Sequence, residues 1–303
     1  MSIFQIQETK QVLFPEFQEE EGIDNHPKPF LKWVGGKGQL LSQFDSFFPP
    51  TFYHYYEPFV GSGAVFFHLL PAMPATLNDS NPNLIAVYKH IQSQVDDLLS
   101  ILYQIRHDYH KLSPEQQEKR YYQVRDTYNI LPAGAIEKSA FLIFLNKTGY
   151  NGLYRESKRG GYNVPFGRYD NPALFDEANL RAVSKSLQHV ELLNGNFCKA
   201  TESARARDFV YFDPPYMPIS KTSSFTSYTH SNFDANQQIQ LAELARQLAD
   251  KGVQVMLSNS DCEFIRYLYK DFELHEVRAS RAINSKADLR GKITELVITN
   301  YKN

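Results

Sequence analysis

The sequence has few cysteines and little net charge, and each of these features excludes a class of protein. Two cysteines among 303 residues, Cys198 and Cys262, are too few and too far apart for a disulfide scaffold or a cysteine metal site. A formal net charge of −2 excludes a chain that is basic throughout, so any nucleic-acid-binding surface has to be local. No apolar run reaches the length of a membrane span, and the first residues lack a signal-peptide pattern. We therefore expect a protein of the reducing cytoplasm with no metal site.

The order of strand and helix patterns predicts how the chain is organised. Alternation over residues 27–80 and 176–303 predicts a parallel α/β sheet of the Rossmann-like kind. Residues 81–175 predict a helical insertion, with one amphipathic helix over residues 91–105 and a basic, glycine-rich loop. Residues 1–26 are polar and acidic, which predicts a flexible tail.

The most informative segment is Asp213-Pro214-Pro215-Tyr216, which directly follows an apolar run. Two prolines end the predicted strand in a rigid turn. Asp213 and the Pro214 carbonyl can accept hydrogen bonds from an exocyclic amine, and Tyr216 can stack on a planar ring. A strand end capped by a proline turn is the alternative, and the motif alone leaves it open.

A second strand-to-helix turn, Phe59-Val60-Gly61-Ser62-Gly63, is rich in glycine. Glycines there let a ligand approach the backbone, but the third glycine of a dinucleotide site is missing, which argues against a nucleotide-dependent oxidoreductase. Asp79 ends the next predicted strand, where a carboxylate can accept from both hydroxyls of a ribose. A turn or helix-capping aspartate is the alternative for Asp79.

Two further segments carry candidate binding residues. The run Lys32-Trp33-Val34-Gly35-Gly36-Lys37-Gly38 is no P-loop, but its Gly-Gly bend would let Lys37 reach a carboxylate; a surface turn is the alternative. Residues 147–168 carry five basic side chains against one acid, Glu156, with tyrosines interleaved. A basic and aromatic loop suits phosphate contacts and base stacking, and a solvated basic face is the alternative.

Taken in order, these motifs resemble the Dam-type DNA adenine-N6 methyltransferases. The matching segments are PFLKWVGGKGQLL, EPFVGSGAVF, LNDSNPNLI, LNKTGYNGLYR with NVPFGRY, and FDPPY. The resemblance covers the chain from about Pro29 to Tyr301. It implies the α-group motif order and a Rossmann-like methyltransferase sheet with an inserted target-recognition domain. It also implies S-adenosylmethionine as cofactor, double-stranded DNA as partner and GATC as target. We expect a monomer in the bacterial cytoplasm, associated with the nucleoid through DNA.

The resemblance also implies roles for individual residues. Catalysis falls on Asp213, Pro214 and Tyr216. Cofactor binding falls on Trp33, Lys37, Phe59, Gly61, Gly63, Asp79, Asn196, Phe197 and Asp213. DNA binding falls on Lys32, Tyr150, Asn151, Leu153, Arg155 and Pro165, with Tyr150 inserted into the duplex. Charge density alone adds Lys158 and Arg159 as phosphate contacts.

One departure and two alternatives remain. Asn196 stands where family members often carry an aspartate before Phe197; asparagine still accepts and donates hydrogen bonds but has no charge. An N4-cytosine methyltransferase is disfavoured because aspartate, not serine, precedes the Pro-Pro-Tyr. A catalytically silent DNA-binding protein on the same fold is disfavoured by the intact motif.

Overall fold

The centre of the molecule is a seven-stranded sheet in the order β3-β2-β1-β4-β5-β7-β6. A computed structural model describes residues 26–157, 160–218, 233–280 and 292–302, so Lys158, Arg159 and all but the last residue of the predicted tail lie outside the described residues. The strands are β1 (Tyr55–Glu57), β2 (Ala75–Asp79), β3 (Val190–Asn194), β4 (Phe209–Phe212), β5 (Gln254–Ser260), β6 (Glu273–Ser280) and β7 (Lys292–Thr299).

Strand direction divides the sheet into a parallel part and an antiparallel edge. Strands β1 to β5 run parallel, as the alternation predicts. Strand β7 pairs antiparallel with both β5 and β6. The expectation of a parallel sheet throughout is therefore wrong at this edge. The stretch between Ser280 and Lys292 is too short for the crossover that parallel neighbours require.

Most helices lie in the connections between strands, and the connection between β2 and β3 contains a group of them. Those of the sheet region are α1 (Leu41–Phe44), α2 (Ala64–Leu69), α7 (Glu177–Ser186), α8 (Phe197–Ala200), α9 (Ala235–Asp250) and α10 (Glu263–Leu268). Before α7, the connection between β2 and β3 also contains α3 (Pro82–Ser93), α4 (Val95–Tyr109), α5 (Pro114–Ile130) and α6 (Ile136–Thr148). The single helix predicted over residues 91–105 is wrong, because Gln94 leaves helical geometry at φ −141° and ψ 37° and separates α3 from α4. Among the described residues, no helix combines the length and apolar character needed to cross a membrane.

Local capping residues set where the longer helices begin and end. The Asn81 side chain accepts from the backbone N–H groups of Asn83 and Leu84, so α3 starts immediately after β2. Ser113 and Gln116 form a capping box at the start of α5. Helix α9 ends before Gly252, whose φ of +79° suits the residue after a helix.

Both faces of the sheet are buried because side chains alternate along each strand. On β4, Phe209 and Tyr211 join one core with α1 to α7, whereas Val210 and Phe212 join a second core with α8 to α10. The helices between β2 and β3 share the first core with the sheet. The domain division at residues 81 and 175 stays a prediction.

The strand order also fixes where ligands can bind. From β1 the chain builds outwards to β2 and β3 on one side, then returns to β4 and β5 on the other. The carboxyl ends of β1 and β4 therefore flank the point where the order reverses, which is where open α/β sheets bind ligands. The glycine turn follows β1, and Asp213 follows β4.

Candidate active site

The turn after β4 is anchored by side chains of neighbouring elements. Gln238 of α9 donates from Nε2 to the Pro215 carbonyl at 2.9 Å. Asn259 of β5 accepts from the Met217 backbone N–H through Oδ1 at 3.2 Å. The turn contains two prolines, follows the paired strand β4 and is held at Pro215 and Met217, so the backbone presents Asp213 in a fixed orientation.

Asp213 carries a carboxylate that two neighbours hold in place. Ser258 of β5 donates from Oγ to Asp213 Oδ1 at 2.9 Å, and Lys37 Nζ lies 2.7 Å from the same oxygen. Burial raises the pKa of the Asp213 carboxyl, and Lys37 and Ser258 oppose that rise by stabilising the charged form. The result is a hydrogen-bond acceptor at the carboxyl edge of the sheet.

Lys37 and Tyr216 complete the wall of this pocket. Lys37 is only 5% exposed, donates to the Gly35 carbonyl at 2.7 Å, and places Nζ 4.7 Å from the centroid of the Tyr216 ring. The Tyr216 hydroxyl donates to Glu295 Oε2 at 2.8 Å. Glu295 thus fixes the edge of the ring and leaves its face directed towards the ammonium.

The turn after β1 requires glycine at both predicted positions. Gly61 and Gly63 have φ of +48° and +71°. A Cβ on Gly63 would lie 2.7 Å from the Tyr88 hydroxyl oxygen, and one on Gly61 would lie 3.0 Å from Trp33 Cδ1. Trp33 therefore lies against the turn. That both belong to one cofactor site stays a prediction.

Asp79 ends β2 beside that turn, and its side chain holds backbone. Oδ2 accepts from the Gly61 N–H at 3.2 Å, and Oδ1 accepts from the Asn81 N–H at 2.9 Å. Burial raises the pKa of Asp79, and these two backbone hydrogen bonds counter the rise. The turn-aspartate alternative thus describes what Asp79 does here. Each oxygen keeps a second acceptor position, so a ribose role stays a prediction.

An aromatic cluster lies next to the glycine turn. The Phe59 ring stacks on Phe197 with centroids 5.3 Å apart, and Phe233 meets Phe59 edge-on at 5.5 Å. Asn196 is exposed and caps α8, because its Oδ1 accepts from the Cys198 N–H at 2.8 Å. The Asn196 side-chain NH2 remains available to donate at the edge of this cluster.

The predicted DNA-binding residue Lys32 is joined to the insertion by Asn146 of α6. Asn146 accepts from the Lys32 N–H at 2.9 Å and donates to the Lys32 carbonyl at 2.9 Å and to the Gly152 carbonyl at 2.8 Å. Gly152 has φ +62°, and a Cβ there would lie 2.4 Å from Lys32 Cδ. The stem of Lys32 therefore packs against the segment that carries the other predicted readers.

That segment begins with a 3₁₀ turn over Tyr150–Gly152. The Tyr150 N–H donates to the Pro165 carbonyl at 2.9 Å, so these two predicted residues are neighbours. The Tyr150 side chain is 52% exposed, and Asn151 is exposed with φ +55°. Leu153 is half-buried and packs against the first core.

Arg155 is oriented by Asn163. Its Nε donates to Asn163 Oδ1 at 2.7 Å, and its Nη2 donates to the Asn163 carbonyl at 3.0 Å. A guanidinium has five N–H donors, so three remain for another partner, two on Nη1 and one on Nη2. The geometry leaves Arg155 able to make a bidentate contact at the tip of its guanidinium.

Several supporting residues were missed by the sequence reasoning. Glu57 ends β1 fully buried, accepts from the Tyr55 hydroxyl at 2.8 Å, and has its pKa raised by burial to about 8. Ser258 and Glu295 hold the Asp213 turn, and Asn146 holds Lys32. Glu57 and Asn146 lie in the matching segments EPFVGSGAVF and LNKTGYNGLYR. For Glu57, a carboxylate inside an apolar strand end was the available signal.

Comparison with known proteins supports the resemblance. Residues 33–283 match the family described as D12 class N6 adenine-specific DNA methyltransferase. The chain is 46% identical over 286 residues to the type II methyltransferase M.MjaIII of Methanocaldococcus jannaschii, covering 90% of this chain and 99% of that protein. It is 39% identical over 281 residues to the type II methyltransferase M1.LlaDCHI of Lactococcus lactis subsp. cremoris, covering 91% and 96%. It is 34% identical over 271 residues to the DNA adenine methylase of Escherichia coli strain K12, covering 89% and 94%.

These matches span the sheet, the insertion and the Asp213 turn together, so they concern the whole architecture and not one motif. The oxidoreductase and N4-cytosine alternatives are thereby excluded at the level of family. The chain belongs to the D12 class of N6 adenine-specific DNA methyltransferases.

Proposed function

We propose that this enzyme transfers a methyl group from S-adenosylmethionine to N6 of adenine in double-stranded DNA, with GATC as its target. The target base leaves the duplex and enters the pocket formed by Asp213, Pro214 and Tyr216. Family membership supplies the reaction class and the DNA substrate. The cofactor, the target sequence and the base-flipping step are the finer parts of the proposal.

One observation carries the proposal: the Asp213 carboxylate lies beside the Tyr216 ring at the reversal point of the sheet. Lys37 Nζ lies 2.7 Å from Asp213 Oδ1 and 4.7 Å from the Tyr216 ring centroid, so a single nitrogen reaches both groups. An adenine stacked on Tyr216 would place its amino group near Asp213 in the same way. This is the arrangement that an amino-bearing aromatic ring requires.

The chemistry needs positioning more than a nucleophilic side chain. The N6 lone pair of adenine is delocalised into the ring, which makes it a poor nucleophile. Hydrogen bonds from N6 to Asp213 and to the Pro214 carbonyl draw the nitrogen towards tetrahedral geometry and localise the lone pair. S-adenosylmethionine would supply the electrophilic methyl group: the C–N6 bond forms as the C–S bond breaks, S-adenosylhomocysteine leaves, and N6 then loses a proton. The contribution of Asp213, Pro214 and Tyr216 is therefore orientation and electrostatics.

The residues beside the pocket fit the cofactor. Gly61 and Gly63 have positive φ and carry no side chains, which would let an adenosine ligand approach the backbone of this turn. Trp33 lines this turn, and Phe59 with Phe197 offers an aromatic wall for the cofactor base. Asp79 would accept from the ribose hydroxyls, Asn196 would donate to the cofactor adenine, and Lys37 would meet the carboxylate.

The DNA-reading residues lie on one structural unit. Asn146 ties Lys32 to Gly152, and Tyr150 is hydrogen-bonded to Pro165, which brings the predicted readers Lys32, Leu153, Arg155 and Pro165 into one region. Unstacking the target adenine costs a few kcal/mol. Insertion of the exposed Tyr150 into the gap would offset this cost. We expect the enzyme to act as a monomer on cytoplasmic DNA.

The test is methyl transfer from labelled S-adenosylmethionine to duplexes that contain GATC or a site with one base changed. We expect N6-methyladenine as the labelled nucleoside, formed in GATC. Asp213→Ala should abolish transfer while its circular dichroism matches the wild type. Near-normal turnover by Asp213→Ala would remove Asp213 from the catalytic role. Equal transfer to the altered sites would remove GATC from the proposal.

A further inference from the structure

The Lys37 ammonium lies in the position that the target amine would take. Its Nζ is 2.7 Å from Asp213 Oδ1 and 4.7 Å from the centroid of the Tyr216 ring. Asp213 and Tyr216 are also the two groups assigned to the flipped adenine. An ammonium and an exocyclic amine are both hydrogen-bond donors, and both groups attract them for the same reasons.

Lys37 occupies both parts of the place that a second nitrogen donor and its ring would take, which are Asp213 Oδ1 and the face of Tyr216. Asp213 Oδ1 already accepts from Ser258 Oγ at 2.9 Å as well as from Lys37, and a carboxylate oxygen has two lone pairs. Ser258 lies on β5, and Glu295 of β7 fixes the Tyr216 hydroxyl, so the acceptor and the ring are both held by the sheet. The group that can move aside is Lys37.

Lys37 can move its ammonium by rotation about the bonds of its flexible four-carbon side chain. Lys37 is 5% exposed as a residue, so its ammonium needs another anionic partner when it leaves Asp213. A neutral adenine cannot provide that partner. The amino-acid carboxylate of the proposed cofactor can.

We propose that Lys37 closes the target-base pocket and that the cofactor carboxylate draws it away from Asp213, so the base enters only after the cofactor is bound. This inference rests on the proposed function. It assigns Lys37 two exclusive partners, Asp213 before cofactor binding and the carboxylate after it. Lys37 is thus a positioning residue that orders the two binding events.

The test uses a duplex with 2-aminopurine at the target position. This base lacks the N6 amine but needs the same place on the Tyr216 ring that Lys37 occupies, and its fluorescence rises when it leaves the stack. Sinefungin carries the amino-acid carboxylate, whereas 5′-methylthioadenosine carries the adenosine without it. With wild-type enzyme at saturating ligand, we expect sinefungin to raise the fluorescence several-fold more than 5′-methylthioadenosine does. Lys37→Met should give the full rise with either ligand and with none. Lys89→Met, an exposed lysine on α3, serves as the matched control and should behave as the wild type.

Equal responses of the wild type to the two ligands would overturn the inference, and this comparison needs no variant to fold. A Lys37→Met protein that is folded by circular dichroism but still depends on sinefungin would also overturn it. The methyl-transfer assay on the same preparation distinguishes a failure of the proposed function from a failure of the Lys37 inference. Adenine methylation together with equal ligand responses rejects only the Lys37 mechanism, whereas a lack of adenine methylation rejects the proposed function and the inference with it.

Discussion

The Trp33 indole stacks on the Tyr154 ring, with centroids 5.0 Å apart and planes inclined by 28°. Trp33 lies against Gly61 in the proposed cofactor site, and Tyr154 precedes Arg155 in the proposed reading segment. The Tyr154 hydroxyl donates to Glu156 and accepts from Asn83 Nδ2 at 3.4 Å. This pair of rings is therefore a direct contact between the two binding regions.

We predict that Tyr154→Leu weakens cofactor binding because it removes the support of Trp33. An aromatic pair contributes about 0.5–1.5 kcal/mol beyond its buried area, which corresponds to a roughly twofold to tenfold higher Kd. Tyr154→Phe keeps the stack, loses the hydroxyl contacts and should bind nearly as the wild type does. Calorimetric titration with S-adenosylhomocysteine measures both. Equal affinities of the Leu and Phe variants would show that the stack does not support the cofactor site.

Asp79→Ala should raise the KM for S-adenosylmethionine more than it lowers kcat. A ribose-binding carboxylate contacts ground and transition states alike, and such contacts affect KM. The variant should also be less stable, because the Gly61 and Asn81 N–H groups lose their acceptor. Each buried donor left unpaired lowers the free energy of unfolding by about 1–3 kcal/mol. Initial-rate kinetics and urea unfolding measure the two effects. A stability loss with an unchanged KM would leave Asp79 only its turn-holding role.

Arg155→Ala should relax discrimination between GATC and sites with one changed base. A bidentate contact to guanine discriminates by about 1–3 kcal/mol, and the free donors of Arg155 suit such a contact. Asn163→Ala should give a smaller loss of the same kind, because Asn163 orients the guanidinium. Lys158→Ala is the comparison variant, expected to weaken all sites alike and to reduce the salt dependence of binding. Equal losses on cognate and altered duplexes for Arg155→Ala would reduce Arg155 to a phosphate contact.

The buried Glu57 should make stability depend on pH. Its pKa is raised by burial from 4.5 to about 8, so the folded protein holds this proton while the unfolded chain has released it. Stability should therefore fall as pH rises from about 4.5 to about 8 and then level off, by an amount on the order of a few kcal/mol. Glu57→Gln removes this dependence and should gain stability relative to the wild type across the window. Urea unfolding at pH 5 and pH 8.5 tests this, and parallel pH curves for the two proteins would contradict it.

Features that depend on neighbouring residues in the sequence were predictable. The strand β2 ends at Asp79 and the strand β4 at Phe212 as the apolar runs and turn residues indicate. Helix α5 was missed although Ser113 and Gln116 carry the spacing of a capping box, so that signal was present and unused. The break at Gln94 was not predictable, because the apolar positions continue across it with nearly helical spacing.

Features that depend on strand pairing were hidden from sequence reasoning. In the sequence, Ser258 and Asn259 are simply polar residues at the end of an apolar strand. The pairing of β5 with β4 is what brings them to the Asp213 turn. Glu295 reaches Tyr216 because β7 runs antiparallel beside β5. Asn146 is one polar residue on a buried helix, and its bonds to Lys32 span 114 positions of sequence.

The place of β7 between β5 and β6 affects the order in which the site is completed during synthesis. Strand β6 emerges from the ribosome before β7, yet its only sheet partner is β7, as far as the described residues go. Until β7 is made, β5 and β6 each expose an unpaired edge, which is a template for association with another chain. Tyr216 also lacks the Glu295 contact until then. A nascent chain can thus form the glycine turn early, while the proposed base pocket is completed by β7, which is synthesised after the other described strands.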